Sequence, residues 1–164
     1  MKKLLILFSL VIIAGCSQAQ NKPNIDKIPA FHILRPDSTW FTPANLKKNT
    51  AVMIIYFGPD CSHCQHMMYE MEPKMKSFAK TQIVMVTFTD FDRLPMIRNF
   101  YRDFGLAKFP NITVGTEGHT YVVQRYYQVQ TTPYIAVYDR KGNLVKAYDK
   151  APTMDELIAT VKKT

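Results

Sequence analysis

AVMIIYFGPDCSHC, residues 51 to 64, joins an apolar run to a pair of cysteines. The seven residues from Ala51 to Phe57 are continuously apolar, which suits a central strand buried on both faces beneath helices. Gly58-Pro59-Asp60 breaks the run. From Cys61 to Lys80 the apolar period becomes helical: Met67, Met71, Met75 and Phe78 recur at i, i+4, i+8 and i+11 as one stripe. Pro73 should kink or restart that helix. Cys61 and Cys64 therefore stand where a buried strand hands over to a helix.

That position carries chemistry. A helix N-terminus presents unpaired N–H groups and about half a positive charge. A thiolate is stabilised there, so Cys61 should have a lowered pKa and act as the attacking sulfur. Cys64, one turn further in, would be the resolving thiol that displaces a substrate from the mixed disulfide. The imidazole of His63 could favour the Cys61 thiolate and push the pair toward the oxidant side. Asp60 would act in the opposite sense with its carboxylate turned inward.

Outward from this centre the chain alternates strands and helices. Residues 31–41 read as a short hairpin around Arg35-Pro36-Asp37-Ser38, and 43–47 as one helical turn starting on Pro43. Ile83 to Thr89 is a second buried strand. Leu94 to Phe104 is an amphipathic helix with Ile97, Phe100, Tyr101 and Phe104 inward and Arg98 and Arg102 outward, stopped by Gly105. Residues 111–114 form a strand, and 119–127 a helix whose apolar positions are Val122, Val123, Tyr126 and Tyr127. Strands at 134–138 and 144–148 flank the turn Asp139–Asn143. Thr153 caps a last helix, 154–163, with Glu156 completing a capping box. The order β-β-β-α-β-α-β-α-β-β-α describes one α/β domain with a mixed sheet flanked by helices, over residues 29–164.

The first residues read as an address. Met1-Lys2-Lys3 is a positive start, and Leu4 to Ala14 is an apolar stretch too short to span a bilayer. Ile13-Ala14-Gly15-Cys16 resembles a bacterial lipobox, which would make 1–15 a lipoprotein signal peptide and Cys16 the lipidated mature N-terminus. The competing reading is an ordinary cleaved signal with a chance cysteine. Residues 16–28 are polar and serve as a tether. The expected location is the cell envelope, lipid-anchored and facing the periplasm, where disulfides persist. With Cys16 acylated, Cys61 and Cys64 are left for local chemistry or metal ligation.

Composition narrows the rest. The chain has 164 residues, of which 47% are hydrophobic, 12% aromatic and 21% charged, enough for one domain with a real core. Three cysteines exclude a disulfide scaffold. The net charge of +8, nearer +6 without Lys2 and Lys3, is spread without a basic run, which argues against nucleic acid. His32 and His119 have no pattern around them. Arg93, Arg98 and Arg102 read as a solvated helix face.

Taken together, FHILRPDSTWF, AVMIIYF before CSHC, an insertion near 105–129, TTP at 131–133 and YDRKGNLV resemble, in order, the TlpA-like and ResA-like branch of thioredoxin-fold proteins. The resemblance implies a thiol–disulfide oxidoreductase acting on envelope proteins, with reduction slightly favoured. It implies electrons from a transmembrane thiol reductase, and no dissociable cofactor beyond the Cys61–Cys64 pair. It also implies that Thr132-Pro133 is a cis peptide beside the sulfurs, where Thr132 offers its backbone to an extended substrate segment. The alternative at Pro133 is a trans proline opening the next strand.

Three departures stand out. Phe57-Gly58-Pro59-Asp60 replaces the Trp-Ala-x-Trp common in the branch. Ile55 stands where thioredoxins carry a buried Asp. Met67 stands where reductases of the branch carry Glu. Glu70 is the nearest helix carboxylate, and its spacing turns it to solvent. A copper-binding chaperone is the competing function, since Cys61, Cys64, His63, His66 and the helix methionines include soft ligands. Against it, SCO-type chaperones use a wider cysteine spacing, a second ligand pair at zinc spacing is missing, and core packing accounts for the methionines. No metal site is assigned.

Overall fold

The computed structural model describes residues 24–164. The signal peptide and Cys16 lie outside the described residues. Seven strands form one mixed sheet: β1 (Ile33–Leu34), β2 (Trp40–Phe41), β3 (Ala51–Tyr56), β4 (Thr81–Thr87), β5 (Ile112–Thr116), β6 (Tyr134–Tyr138) and β7 (Leu144–Tyr148). Their spatial order is β2-β1-β5-β4-β3-β6-β7. The three central strands run parallel and fully or almost fully buried, as the unbroken apolar run of β3 requires. Strands β6 and β7 and the hairpin β1–β2 extend the sheet antiparallel on either side.

Alternation along β3 divides the core. Met53, Ile55 and Phe57 join one cluster, packed with α1 (Ser62–Met71), α2 (Leu94–Asp103) and α4 (Met154–Val161). Val52, Ile54 and Tyr56 join the other, with Phe31, Ile33 and α3 (Val122–Tyr127). The architecture is a thioredoxin-like fold, a mixed sheet flanked by helices. No helix among the described residues is long and apolar enough to cross a membrane.

Several boundaries depart from the sequence reading. The helix after the cysteines ends at Met71, and a 3-10 stretch, Glu72–Phe78, takes over around Pro73, which cannot donate a backbone hydrogen bond. The methionine stripe survives this change: Met67, Met71, Met75 and Phe78 are all buried in the first cluster. The turn at 43–47 is a 3-10 turn over Pro43–Asn45. Residues 119–127 are not one helix. A 3-10 turn, Gly118–Thr120, comes first, Tyr121 takes φ 49, and only then does α3 begin. Its inward face is narrower than expected, because Val122 is exposed and Tyr126 only half-buried.

The capping box of α4 forms by half. Thr153 Oγ1 accepts from Glu156 N at 3.3 Å, but the Glu156 carboxylate turns to Lys146 Nζ at 2.6 Å. Gly105, at φ 56, does end α2. The tether expected up to residue 28 is in part folded onto the domain. Ile25 and Ile28 pack on the second cluster, Leu144 N donates to Asp26 O at 3.0 Å, and Tyr138 Oη donates to Ile25 O at 3.1 Å.

Candidate active site

Cys61 is the residue that caps α1. Its backbone is extended at φ −76 and ψ 115, its carbonyl accepts from Gln65 N at 3.0 Å, and its Sγ accepts from Cys64 N at 3.4 Å. The tight Gly58-Pro59-Asp60 turn is closed by Cys61 N donating to Gly58 O at 3.2 Å, and Gln65 Nε2 anchors it through Pro59 O at 2.9 Å. The first sulfur is partly exposed. The second, on Cys64, is fully buried. Both are free thiols.

The two environments pull the thiols apart. Partial burial opposes ionisation of Cys61, but hydrogen bonds from Cys64, from the Thr132 side chain and from the Cys64 and His63 backbone amides outweigh it, so the pKa falls. Cys64 goes the other way. Burial first, and the neighbouring Cys61 second, push it up to about 12.

Thr132 and Pro133 close the site from the opposite side. The Thr132–Pro133 bond is cis, and Thr132 O lies 3.5 Å from Cys61 Sγ. That carbonyl can bond only the protonated sulfur, so it favours the thiol while the amides of α1 favour the thiolate. Strand β6 starts at the next residue and pairs Tyr134 with Tyr56, fixing the proline loop against the end of β3.

The other anticipated residues fall differently. His63 is exposed, and what reaches Cys61 is its backbone amide rather than its imidazole. Asp60 is exposed and lines a cleft of about 290 Å³ with Phe88, Arg93 and His119. Neither of its oxygens bonds a cysteine among the described residues. Ile55 and Met67 are buried in the first cluster, so those two positions place no carboxylate beside Cys64. Glu70 is exposed, with His66 Nε2 at 3.6 Å. Among the described residues no group of three His, Cys, Asp or Glu side chains is placed to hold a metal.

Glu117 escaped the sequence reading. It is 1% exposed and has no cationic partner among the described residues. Instead it accepts from Tyr56 Oη at 2.9 Å, Val123 N at 2.8 Å and Gln124 N at 3.3 Å. Burial and the Glu117 charge both push the Tyr56 hydroxyl up. In sequence this residue sits in GTEGH and looks like any turn acid. Its partners come from a strand 61 residues earlier and from the start of α3.

The comparisons agree with this fold. The chain has the fold of a secreted Mycobacterium tuberculosis disulfide oxidoreductase homologous to Escherichia coli DsbE, at 17% identity and a TM-score of 0.67, covering 82% of this chain and 96% of that one. It is also similar to the exposed lipoprotein thioredoxin of Streptococcus pneumoniae, at 20% identity and a TM-score of 0.62, covering 82% and 98%. A thiol-disulfide oxidoreductase from Bacteroides fragilis matches at 13% identity and a TM-score of 0.67, covering 84% and 98%. Comparison with curated proteins gives no match by sequence. The thioredoxin-like domain profile matches residues 42–163, which span both cysteines and the Thr132–Pro133 loop, and the chain belongs to that family.

Proposed function

We propose that this protein is a thiol–disulfide oxidoreductase of the cell envelope, anchored by lipid on Cys16 and acting on protein substrates. The observation that carries the reading is the asymmetry of the pair: Cys61 partly exposed with a lowered pKa at the start of α1, Cys64 fully buried with a raised one. In the reducing direction, the Cys61 thiolate attacks a substrate disulfide and forms a mixed disulfide, releasing one substrate thiolate. Cys64 then loses its proton and attacks Cys61 Sγ, expelling the second substrate thiolate. The substrate gains two electrons and the protein is left with a Cys61–Cys64 disulfide. A transmembrane thiol reductase would restore the dithiol. Thr132 and Pro133 provide the surface on which the substrate lies.

Membership of the thioredoxin-like family and the extracytoplasmic neighbours support this reading. Redox titration of the purified protein against glutathione tests it. A two-electron transition assigned to Cys61 and Cys64 is the expected result. A midpoint near about −270 mV makes it a reductant and one near about −120 mV an oxidant. Absence of any reversible pair would refute the assignment.

A further inference from the structure

Exchange at the sulfurs leaves a neighbouring cleft without a task. It measures about 880 Å³ and follows the outer strand pair β6–β7 on the tyrosine face of the sheet. Thr131 and Asp149 mark the end next to Thr132, where Thr131 Oγ1 donates to Asp149 O at 3.0 Å. Leu144 and Asp26 mark the far end, joined by the bond from Leu144 N to Asp26 O. Tyr134 walls it between them and Asp149 lines the same cleft; burial, and then the Asp149 charge, raise the pKa of that phenol. Asp26 acts in the same sense on Tyr138, whose pKa burial also raises.

The charge balance of this cleft is unlike that of the chain. The protein carries a net charge of +8, yet two carboxylates and no lysine or arginine line the cleft. Among the described residues neither Asp26 nor Asp149 is in an ion pair. Lys27, next to Asp26, is held by Asn143 Oδ1 at 2.5 Å, and Lys150, next to Asp149, does not line the cleft. The five residues of β7 separate the two ends by about 15 Å at the usual rise of a strand. An extended segment of about five residues covers that distance.

We infer that this cleft is a docking subsite for the substrate polypeptide, taking an extended segment with two basic side chains about four to five residues apart beside the reacting cysteine. The inference rests on the proposed redox function. Asp149 would meet the basic side chain nearer the sulfur and Asp26 the farther one. Opposite charges at both ends speed encounter and set the direction in which the segment lies.

Two short synthetic peptides test it, each with one cysteine held as a mixed disulfide with thionitrobenzoate. One carries two lysines at the inferred spacing, the other two serines. The Cys61 thiolate attacks the peptide sulfur, the Cys61–peptide bond forms, and the bond to thionitrobenzoate breaks with its electron pair leaving as the coloured thiolate. With the full chain in its dithiol form, the lysine peptide should react about tenfold faster at low ionic strength, with the advantage shrinking as salt is added. Asp26→Asn with Asp149→Asn should bring the ratio of the two rates to near one. Asp26→Lys with Asp149→Lys should invert it in favour of the serine peptide. Equal rates in the unmodified protein overturn the inference, as does an advantage that survives neutralisation of both carboxylates. An advantage that emerges only after residues 17–22 are deleted gives the cleft to this chain's own tether and overturns it too. Reaction with dithiodipyridine separates the two levels: failure of Cys61 to react with that small uncharged disulfide refutes the redox function rather than the subsite.

Discussion

The two faces of the sheet are packed by different chemistry. Beneath the cysteines lie Met67, Met68, Met71, Met75, Phe78 and Phe100, side chains without a strong hydrogen-bonding group. On the opposite face tyrosines fill the same role and their hydroxyls are tied down. Tyr56 holds Glu117, while Tyr127 and Tyr138 bond each other at 2.7 Å and Tyr138 reaches Ile25 O. The contrast teaches where charge is tolerated. The cysteine face admits no carboxylate near Cys64, and burial alone is enough to hold its thiol protonated. The tyrosine face buries a carboxylate because three donors converge on it.

Substitutions can break or sharpen that contrast. The largest effect should come from Cys61→Ser, which removes the attacking sulfur and should abolish exchange with a model disulfide while leaving the thermal unfolding of the dithiol protein nearly unchanged. Next comes the apolar face. Phe78 is fully buried, and Phe78→Ala should cost about 3–5 kcal/mol in a urea titration. Glu117→Gln on the tyrosine face replaces a charged acceptor by an amide that also turns a donor toward donors, and should cost about 2 kcal/mol. Tyr138→Phe removes one hydroxyl from a short network and should cost about 1 kcal/mol. Were Tyr138→Phe to cost as much as Phe78→Ala, the distinction between a packed face and a hydrogen-bonded face would fail.

Stability against pH sharpens the same point. The Cys64 thiol has a raised folded-state pKa, so its contribution is fully present below the unfolded value near 9 and is lost as pH climbs toward about 12. The dithiol protein should therefore weaken across that window, and Cys64→Ala should flatten the decline.

The centre of the molecule was legible because local signals there agree with one another. An apolar run of seven can only be a buried strand or a buried helix segment, and Gly58-Pro59 followed by a helical period settles which. The cysteine spacing then places one sulfur at the helix start and the other inside. Gly105 was readable for a similar reason, since its left-handed backbone suits glycine. What stayed hidden depends on distant partners. Nothing near Glu117 announces Tyr56, and nothing in residues 24–28 announces the strand edge that holds them. The orientation of His63 stayed hidden for another reason. The pattern shows that a histidine stands between the cysteines but not whether its ring or its amide faces the sulfur. The start of α3 was missed because Tyr121 adopts a backbone that tyrosine rarely takes.

The unequal acidity of the two sulfurs underlies both the proposed chemistry and the division of roles between Cys61 and Cys64. Alkylation by iodoacetamide across a pH series, read by peptide mass for each cysteine separately, measures it directly. Cys61 should react with a midpoint clearly below that of a free cysteine, near 9.0, while Cys64 in the folded dithiol protein stays unmodified until the pH nears about 12. Equal reactivity of the two cysteines, or a Cys61 midpoint matching that of free cysteine, would contradict it.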